Sequence, residues 1–464
     1  MIFKLAVRNI FRNTRRSLTT LSTIAIGAAA VLVFGAYVTY IKLGVETSAV
    51  QRTGHFQIFR NGYFDFGTGN PAAWGIGDYQ TVLTLVRDDP VLQPMTAVVT
   101  PIQNLAGIAG NFDDDTSKTF FGVGFVPSSR DKMKRWNEYG TGSQGLQHSG
   151  MTDDNPNSGI VGIGLARILG LCESLHLDNC PPAPKPIEAT PTGPALASNI
   201  AALAANDKPA DAAASDGEPT IDLLAATAGG APNVVSLKIV HVESQPFKEL
   251  DDNYVGMNLS LAQQLVYGRG EHEVTGIVLQ LKRSEDVPMA RARLATLIDE
   301  HKLDLEVRDF TELTPEYNQI IGLFGSIFSF ISVIIGIVVL FTVTNAMGMS
   351  VVERTDEIGT TRAIGVRRAG IRRQFLVEGA LLGLIGATVG VALAYVAADA
   401  VNGAGITWIP PGAPAPVPLR LYMAGAWALI AGTWLGLVVT ATIAAFVPAH
   451  RAARMKVVDA LRHV

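Results

Sequence analysis

Apolar residues in this chain gather into four long blocks, near residues 18–41, 320–347, 376–398 and 421–447. Each block holds roughly 20 or more mostly apolar positions, enough to cross a ~30 Å hydrocarbon core as a helix at ~1.5 Å per residue. Between the first two lies a stretch of very different pattern, 42–319. Short strand-like runs occur there at His55–Arg60, Ala97–Thr100 and Thr119–Val126, with Asn111–Lys118 as a polar hairpin loop. Gly159–Leu171 reads as an apolar strand followed by a helix. Val234–Val242, Thr275–Leu281 and Leu305–Phe310 read as strands, and Val287–His301 as a helix. Ser260 with Gln263 three residues on forms a capping box that opens a helix to about Tyr267. Residues 172–232 form an insertion, rich in Ala and Pro, that reads largely as a linker. The fold class expected is an α-helical membrane protein with four transmembrane helices. A large α+β domain is inserted between helices 1 and 2. The apolar run ahead of Glu353 is longer than one bilayer needs, so that helix is expected to project beyond the membrane.

Charge sets the orientation. The segments 1–17, 353–375 and 448–464 together hold 15 of the 37 Lys and Arg residues against four acids. Their sum of +11 leaves about −15 for the rest of a chain whose net charge is −4. By the positive-inside rule these segments are cytoplasmic, both termini with them, and 42–319 and the loop 399–420 lie outside. Residues 1–16 have Lys4, Arg8, Arg12 and Arg15 on one side and Phe3, Val7, Ile10 and Phe11 on the other. That is the pattern of an amphipathic helix lying in the membrane interface, in contact with anionic lipid. The basic residues lack the aromatic interleaving and motifs of nucleic-acid binding, and no nucleic-acid partner is expected.

Candidate chemistry is sparse. Neither a P-loop nor a zincin helix nor a Gly-x-Ser-x-Gly elbow occurs in these residues. The Gly-Ile-Gly within Gly159–Leu171 is too weak for a nucleotide fingerprint. Asp113, Asp114 and Asp115 do not have EF-hand spacing. Cys172 and Cys180 fall on the outer side, where a disulfide is the expected state and two thiols the alternative. With His176 and Asp178 between them they match no standard zinc spacing. Glu378 is an acid inside a span, expected to snorkel or to pair with Arg372 or Arg373. Gly379, Gly383, Gly386 and Gly390 on the third span, and Gly432 and Gly436 on the fourth, have small-xxx-small spacing. Packing within one bundle and a dimer seam both fit that spacing.

Glu353-Arg-Thr-Asp-Glu-Ile-Gly-Thr-Thr-Arg-Ala-Ile-Gly365, followed by Phe375-Leu-Val-Glu-Gly379, resembles the signature loop of the MacB/LolC/LolE/FtsX-type permeases of ABC transporters, the mechanotransmission class. Leu5–Asn13, Ile24–Gly27 and Pro448–Arg454 with Asp459–Arg462 are similar to the family's ends. In the outer domain, Gly159–Leu171, Lys248–Tyr254 and Leu259–Gln263 are similar to its usual pattern. Only about 172–232 departs from it. The resemblance implies a transport subunit without its own ATPase site, seated in the inner membrane of a Gram-negative bacterium. ATP and Mg would be bound by a cytoplasmic ABC ATPase subunit, and a second permease would complete a homo- or heterodimer. The segment 348–375 would be the coupling loop, with Glu353, Arg354, Glu357, Gly359, Arg362 and Gly365 as its ATPase-coupling residues. Glu353 and Glu357, four apart, would share one helix face. The implied work is release of a lipoprotein or lipid toward the outer membrane, with a periplasmic lipoprotein, chaperone or adaptor as partner. An FtsX-like signalling scaffold and MacB-like export of a peptide or small molecule are the alternatives.

Overall fold

The computed structural model describes residues 6–9, 12, 14–112, 115–141, 148–177, 219–268, 272–409, 416–455 and 457. It divides into two compact units. One comprises 1–45, 316–408 and 417–464, and the other 46–315 with 409–416.

The first unit is a helix bundle. α1 (Thr14–Thr53), α9 (Pro315–Glu353) and α11 (Arg368–Ala404) are long apolar helices. α12 (Trp427–Ala444) continues almost directly into α13 (Phe446–Arg454). Among the described residues, four helices are thus long and apolar enough to cross a membrane. Their starts and ends depart from the hydrophobic blocks because helix extends into polar sequence wherever propensity allows. The fourth is the exception: 421–426 stay outside α12, which begins at Trp427. Small residues let the helices approach. A Cβ at Gly379 would overlap that of Ala445, one at Gly383 would lie 2.8 Å from Ala441, one at Gly386 would lie 2.8 Å from Ile24, and one at Gly390 would overlap Ala28. The third-span glycines therefore serve packing within this bundle. Gly432 and Gly436 have open space beside them.

The second unit is α+β. Its strands are β1 (Phe56–Arg60), β2 (Thr96–Asn111), β3 (Thr116–Phe125), β4 (Ser158–Val161), β5 (Thr220–Ala226), β6 (Pro232–Val242), β7 (Tyr254–Asn258), β8 (Gly276–Leu281) and β9 (Leu305–Asp309). They form one sheet in the order β3-β7-β4-β6-β5-β2-β8-β1-β9. β3 also pairs with β2, so β2, β3, β7, β4, β6 and β5 close into a ring. β3–β7 and β4–β6 are parallel, and the other pairs are antiparallel. Alternation along β5 and β6 sends Ile221, Leu223, Val235 and Leu237 into the core. There they meet α4 (Ile163–Ile168) and α6 (Leu259–Tyr267). A second core lies on the arm formed by β8, β1 and β9 and is covered by α2 (Tyr79–Asp88) and α7 (Val287–Glu300). The short α3 (Pro127–Lys134), α5 (Lys248–Asp251) and α8 (Phe310–Leu313) complete the unit. Outside these, β10 (Thr407–Trp408) pairs with β11 (Val417–Pro418).

Some details differ from the sequence reading. β5 lies inside the stretch read as a linker and bridges β6 to β2 in the sheet. Its alternation is legible, but Ala-rich flanks hide it. β2 is much longer than Ala97–Thr100, and β3 begins at Thr116, inside the segment read as loop. The helix α6 is capped by Asn258, whose Oδ1 accepts from the Ser260 amide at 3.2 Å, and Gln263 donates to the Glu273 carbonyl instead of closing a capping box.

The glycines of Gly159–Leu171 have a structural use. A Cβ at Gly162 would overlap the backbone oxygen of Asp251, and one at Gly164 the carboxylate of Asp252. The buried Asp251 carboxylate accepts from the amides of Gly164 at 2.7 Å and Gln245 at 2.9 Å. Two of the segments that carry the family resemblance therefore meet at one buried carboxylate. Cys172 follows α4 and is disulfide-bonded, while Cys180, Asp178, Asp113 and Asp114 lie outside the described residues. Most of 1–13 does too, though residues 6–9 are helical.

Candidate functional site: a charged helix between the second and third spans

α9 ends at Glu353 because Arg354 leaves helical geometry, with φ −111° and ψ 18°. The chain restarts as α10 (Thr355–Ala363), turns at Gly365 and enters α11 at Arg368. Gly365 has φ +101°, a conformation that L side chains avoid. Glu353 and Glu357 therefore belong to two different helices and not to one face of one helix. The arginine between them makes the break.

Arg354 is the anchor. Its Nη1 donates to both carboxylate oxygens of Glu378 on α11, at 3.0 and 3.2 Å. Its Nε donates to Glu357 at 3.2 Å. Its guanidinium lies 5.3 Å from the centre of the Phe375 ring. Asn9 donates to the same Glu378 carboxylate. Glu378 thus pairs with Arg354, not with Arg372 or Arg373. Those two sit on the first turns of α11, a single turn or so from Glu378, and face outward. The side chains of Arg354 and Glu378 are 11% and 5% exposed, so this pair is buried. A buried acid is stable only when its charge is met, and here a forked charge-assisted contact and an amide meet it.

The other end of α10 is also tied. Arg362 Nη1 donates to the carbonyls of Ala453 and Met455, at 3.2 and 2.6 Å. These are the orphan acceptors at the end of α13, where a cation also suits the helix dipole. Ile358 and Gly359 point into the bundle core beneath α10. On the outer side, Glu353 accepts from Arg16 at 2.9 Å and Glu357 from Arg12 at 2.5 Å. Partial burial raises the Glu357 carboxyl. The hydrogen bonds from Arg12 and Arg354 outweigh it, so its pKa lies below the ordinary carboxylate value.

All six residues singled out in the sequence lie on or beside α10, and of them Arg354 and Glu357 pair directly. Sequence reasoning missed Arg12, Arg16, Asn9 and Glu378 as partners of this segment: Asn9, Arg12 and Arg16 lie hundreds of residues from their acceptors, and Glu378 lies on another helix from Arg354, so neither leaves a local signal. It also missed Ile364, which is 80% exposed beside the half-exposed Val366 at the tip of the loop. An apolar residue in an otherwise charged loop is the available signal.

A family model described as FtsX-like permease C-terminal matches residues 327–457. That range runs from within α9 through α13 and contains the site's residues from Glu353 to Met455, but not Asn9, Arg12 and Arg16. The chain carries an FtsX-like permease domain. The chain also has relatives whose names include ABC transporter permease or ATP-binding/permease protein. The chain is 27% identical over 218 residues to an uncharacterized ABC transporter permease, YknZ, of Bacillus subtilis, across 46% of this chain and 50% of that protein. It is 29% identical over 201 residues to the macrolide export ATP-binding/permease protein MacB of Escherichia coli, across 41% of this chain and 28% of that protein. The chain thus spans half or less of the length of these relatives. Among solved structures, the extracellular domain of YknZ aligns with 55% of this chain and 99% of its own, at 12% identity and a TM-score of 0.29.

Proposed function

We propose that this chain is the permease subunit of an ABC transporter in a cell envelope. A cytoplasmic ATPase, carried on a separate subunit, docks on α10 and supplies the work. The single observation that carries this reading is the site itself, within the matched range 327–457: a short charged helix, tied at both ends to the bundle, that presents Ile364 at its tip. A helix held to α11 at one end and to α13 at the other passes a push to the spans as a rigid lever. An exposed apolar anchor ringed by charge is what a protein interface uses for affinity and register.

The charge distribution supports the orientation proposed: both termini and α10 in the cytoplasm, the α+β unit in the periplasm of a Gram-negative cell. Ionisable groups within the spans are few, and Glu378 is already paired, so an ion-driven carrier is disfavoured. For the substrate we favour a lipoprotein or lipid moved toward the outer membrane. The second reading is export of a small amphiphile with an adaptor. MacB and a probable syringafactin export ATP-binding/permease protein of Pseudomonas syringae, 28% identical over 156 residues, are export proteins by name and favour it.

The test is affinity purification of the tagged chain in mild detergent, with mass spectrometry and an ATPase assay, beside Glu357→Lys. A stoichiometric P-loop ATPase that is lost in the variant supports the permease role, and co-eluting lipoprotein or adaptor ranks the substrates. An intact chain without any ATPase partner would sink it.

A further inference from the structure

The links that hold α10 are of two physical kinds. Arg354 to Glu378 is forked and buried, with side chains 11% and 5% exposed. Arg12 to Glu357 and Arg16 to Glu353 are contacts between more open side chains: Arg12 is 53% exposed, Glu357 47%, Glu353 45% and Arg16, the least open, 23%. Removing one partner of a buried pair leaves an uncompensated charge in the interior. An open pair is weak, is screened by salt, and exchanges readily for another pair of the same charge type.

Glu353, at the end of α9, and Glu357, on α10, are the partly exposed carboxylates that Arg16 and Arg12 meet. A protein that docks there with cationic groups must meet the positions where Arg12 and Arg16 already sit. We propose that Arg12 and Arg16 form an exchangeable clasp. It occupies the carboxylates of the coupling segment in the free permease and is displaced when the ATPase docks. This rests on the permease reading above. The clasp lowers the apparent affinity of docking, and it keeps the acidic face of α10 from other basic proteins until the correct partner supplies both the cations and a pocket for Ile364. Because one set of ion pairs replaces another, docking of the native chain changes the number of pairs little. Its dependence on salt is therefore shallow.

The experiment measures binding of the P-loop ATPase that co-purifies with the tagged full chain. Its partner is the detergent-solubilised permease, native or with Arg12→Gln and Arg16→Gln together, across a series of salt concentrations. The double variant is expected to bind roughly 3- to 10-fold tighter at low salt, the scale of two open ion pairs, and with a steeper loss of affinity as salt rises. Arg12→Lys with Arg16→Lys is expected to restore the native behaviour. A melting curve equal to that of the native chain shows that the variants are folded. Native binding together with equal or weaker binding of the glutamine variant, at an unchanged salt slope, overturns the clasp and leaves the permease reading standing. Failure to recover any ATPase with the native chain overturns both.

Discussion

Glu378 illustrates how one residue can hold a site together. It is buried near the start of α11, and its charge is met by Arg354 and Asn9. Glu378→Ala is expected to lower stability by about 3 kcal/mol, because Arg354 loses its buried partner and keeps only the more exposed Glu357. The joint replacement Glu378→Leu with Arg354→Met should recover most of that loss, since two apolar side chains need no compensation. Melting curves in detergent decide it; equal losses for the single and joint variants would show that the pair itself carries the stability. His55 makes the same point about charge in the α+β unit. Its ring lies at right angles to Trp136, 5.1 Å between centres, and to Phe310. Nδ1 accepts from the Leu281 amide at 3.0 Å, so the proton sits on Nε2, which faces Ser284 at 3.2 Å. Burial lowers its pKa from 6.5 to about 4, against the smaller pull of Asp286. The unfolded chain therefore binds the extra proton first. Stability is complete above pH 6.5 and falls as the pH drops toward 4, by about 3 kcal/mol from this group. Denaturant titrations at pH 7, 6 and 5 should show the decline, and His55→Gln should flatten it between pH 6.5 and 5.

At the scale of elements, the spans and most strands were legible because periodicity and length are local properties. The β8–β1–β9 arm was readable from its β-branched runs, and α7 from its apolar spacing. What the chain did not reveal locally were pairings. The ring closure through β2 and β3 depends on a 16-residue strand whose second half looks like small-residue loop. β5 is isolated in Ala-rich sequence and gains its identity only from Ile108 to Gly110 on one side and β6 on the other. The charged segment between the second and third spans was legible as a motif, yet its geometry was not: at the helix break, Arg354 pairs with Glu378, 24 residues on. The glycine spacing on α11 left two meanings open, and the packing supplies one. Gly390 sits against α1, where a Cβ would overlap Ala28 and lie 2.6 Å from the Ala25 carbonyl oxygen. Gly390→Val should push α1 from α11 and cost about 1–3 kcal/mol, whereas Gly432→Val, with open space beside it, should leave the melting curve of the purified monomer unchanged. Ile364→Asp should leave that curve unchanged too, yet weaken ATPase binding more than tenfold, the scale of an apolar interface anchor. Unchanged binding would remove Ile364 from the docking surface.

For the whole molecule, the decisive quantity is which side of the membrane each unit occupies. The overall charge of −4 conceals a separation of +11 in the three short segments from about −15 elsewhere. A membrane potential negative inside and an anionic inner leaflet both act on that separation in the same sense. The orientation proposed puts 1–17, α10 and 448–464 on one side and the α+β unit on the other. In a background with Cys172→Ser and Cys180→Ser, a single cysteine at Asn155 should react with an impermeant maleimide in intact spheroplasts. One at Thr360 should react only after the membrane is opened. The test bears directly on function: α10 must face the compartment that holds ATP if an ATPase is to dock on it. Labelling of Thr360→Cys from outside would leave the ion pairs of the site intact as structure and deprive them of the role proposed for them.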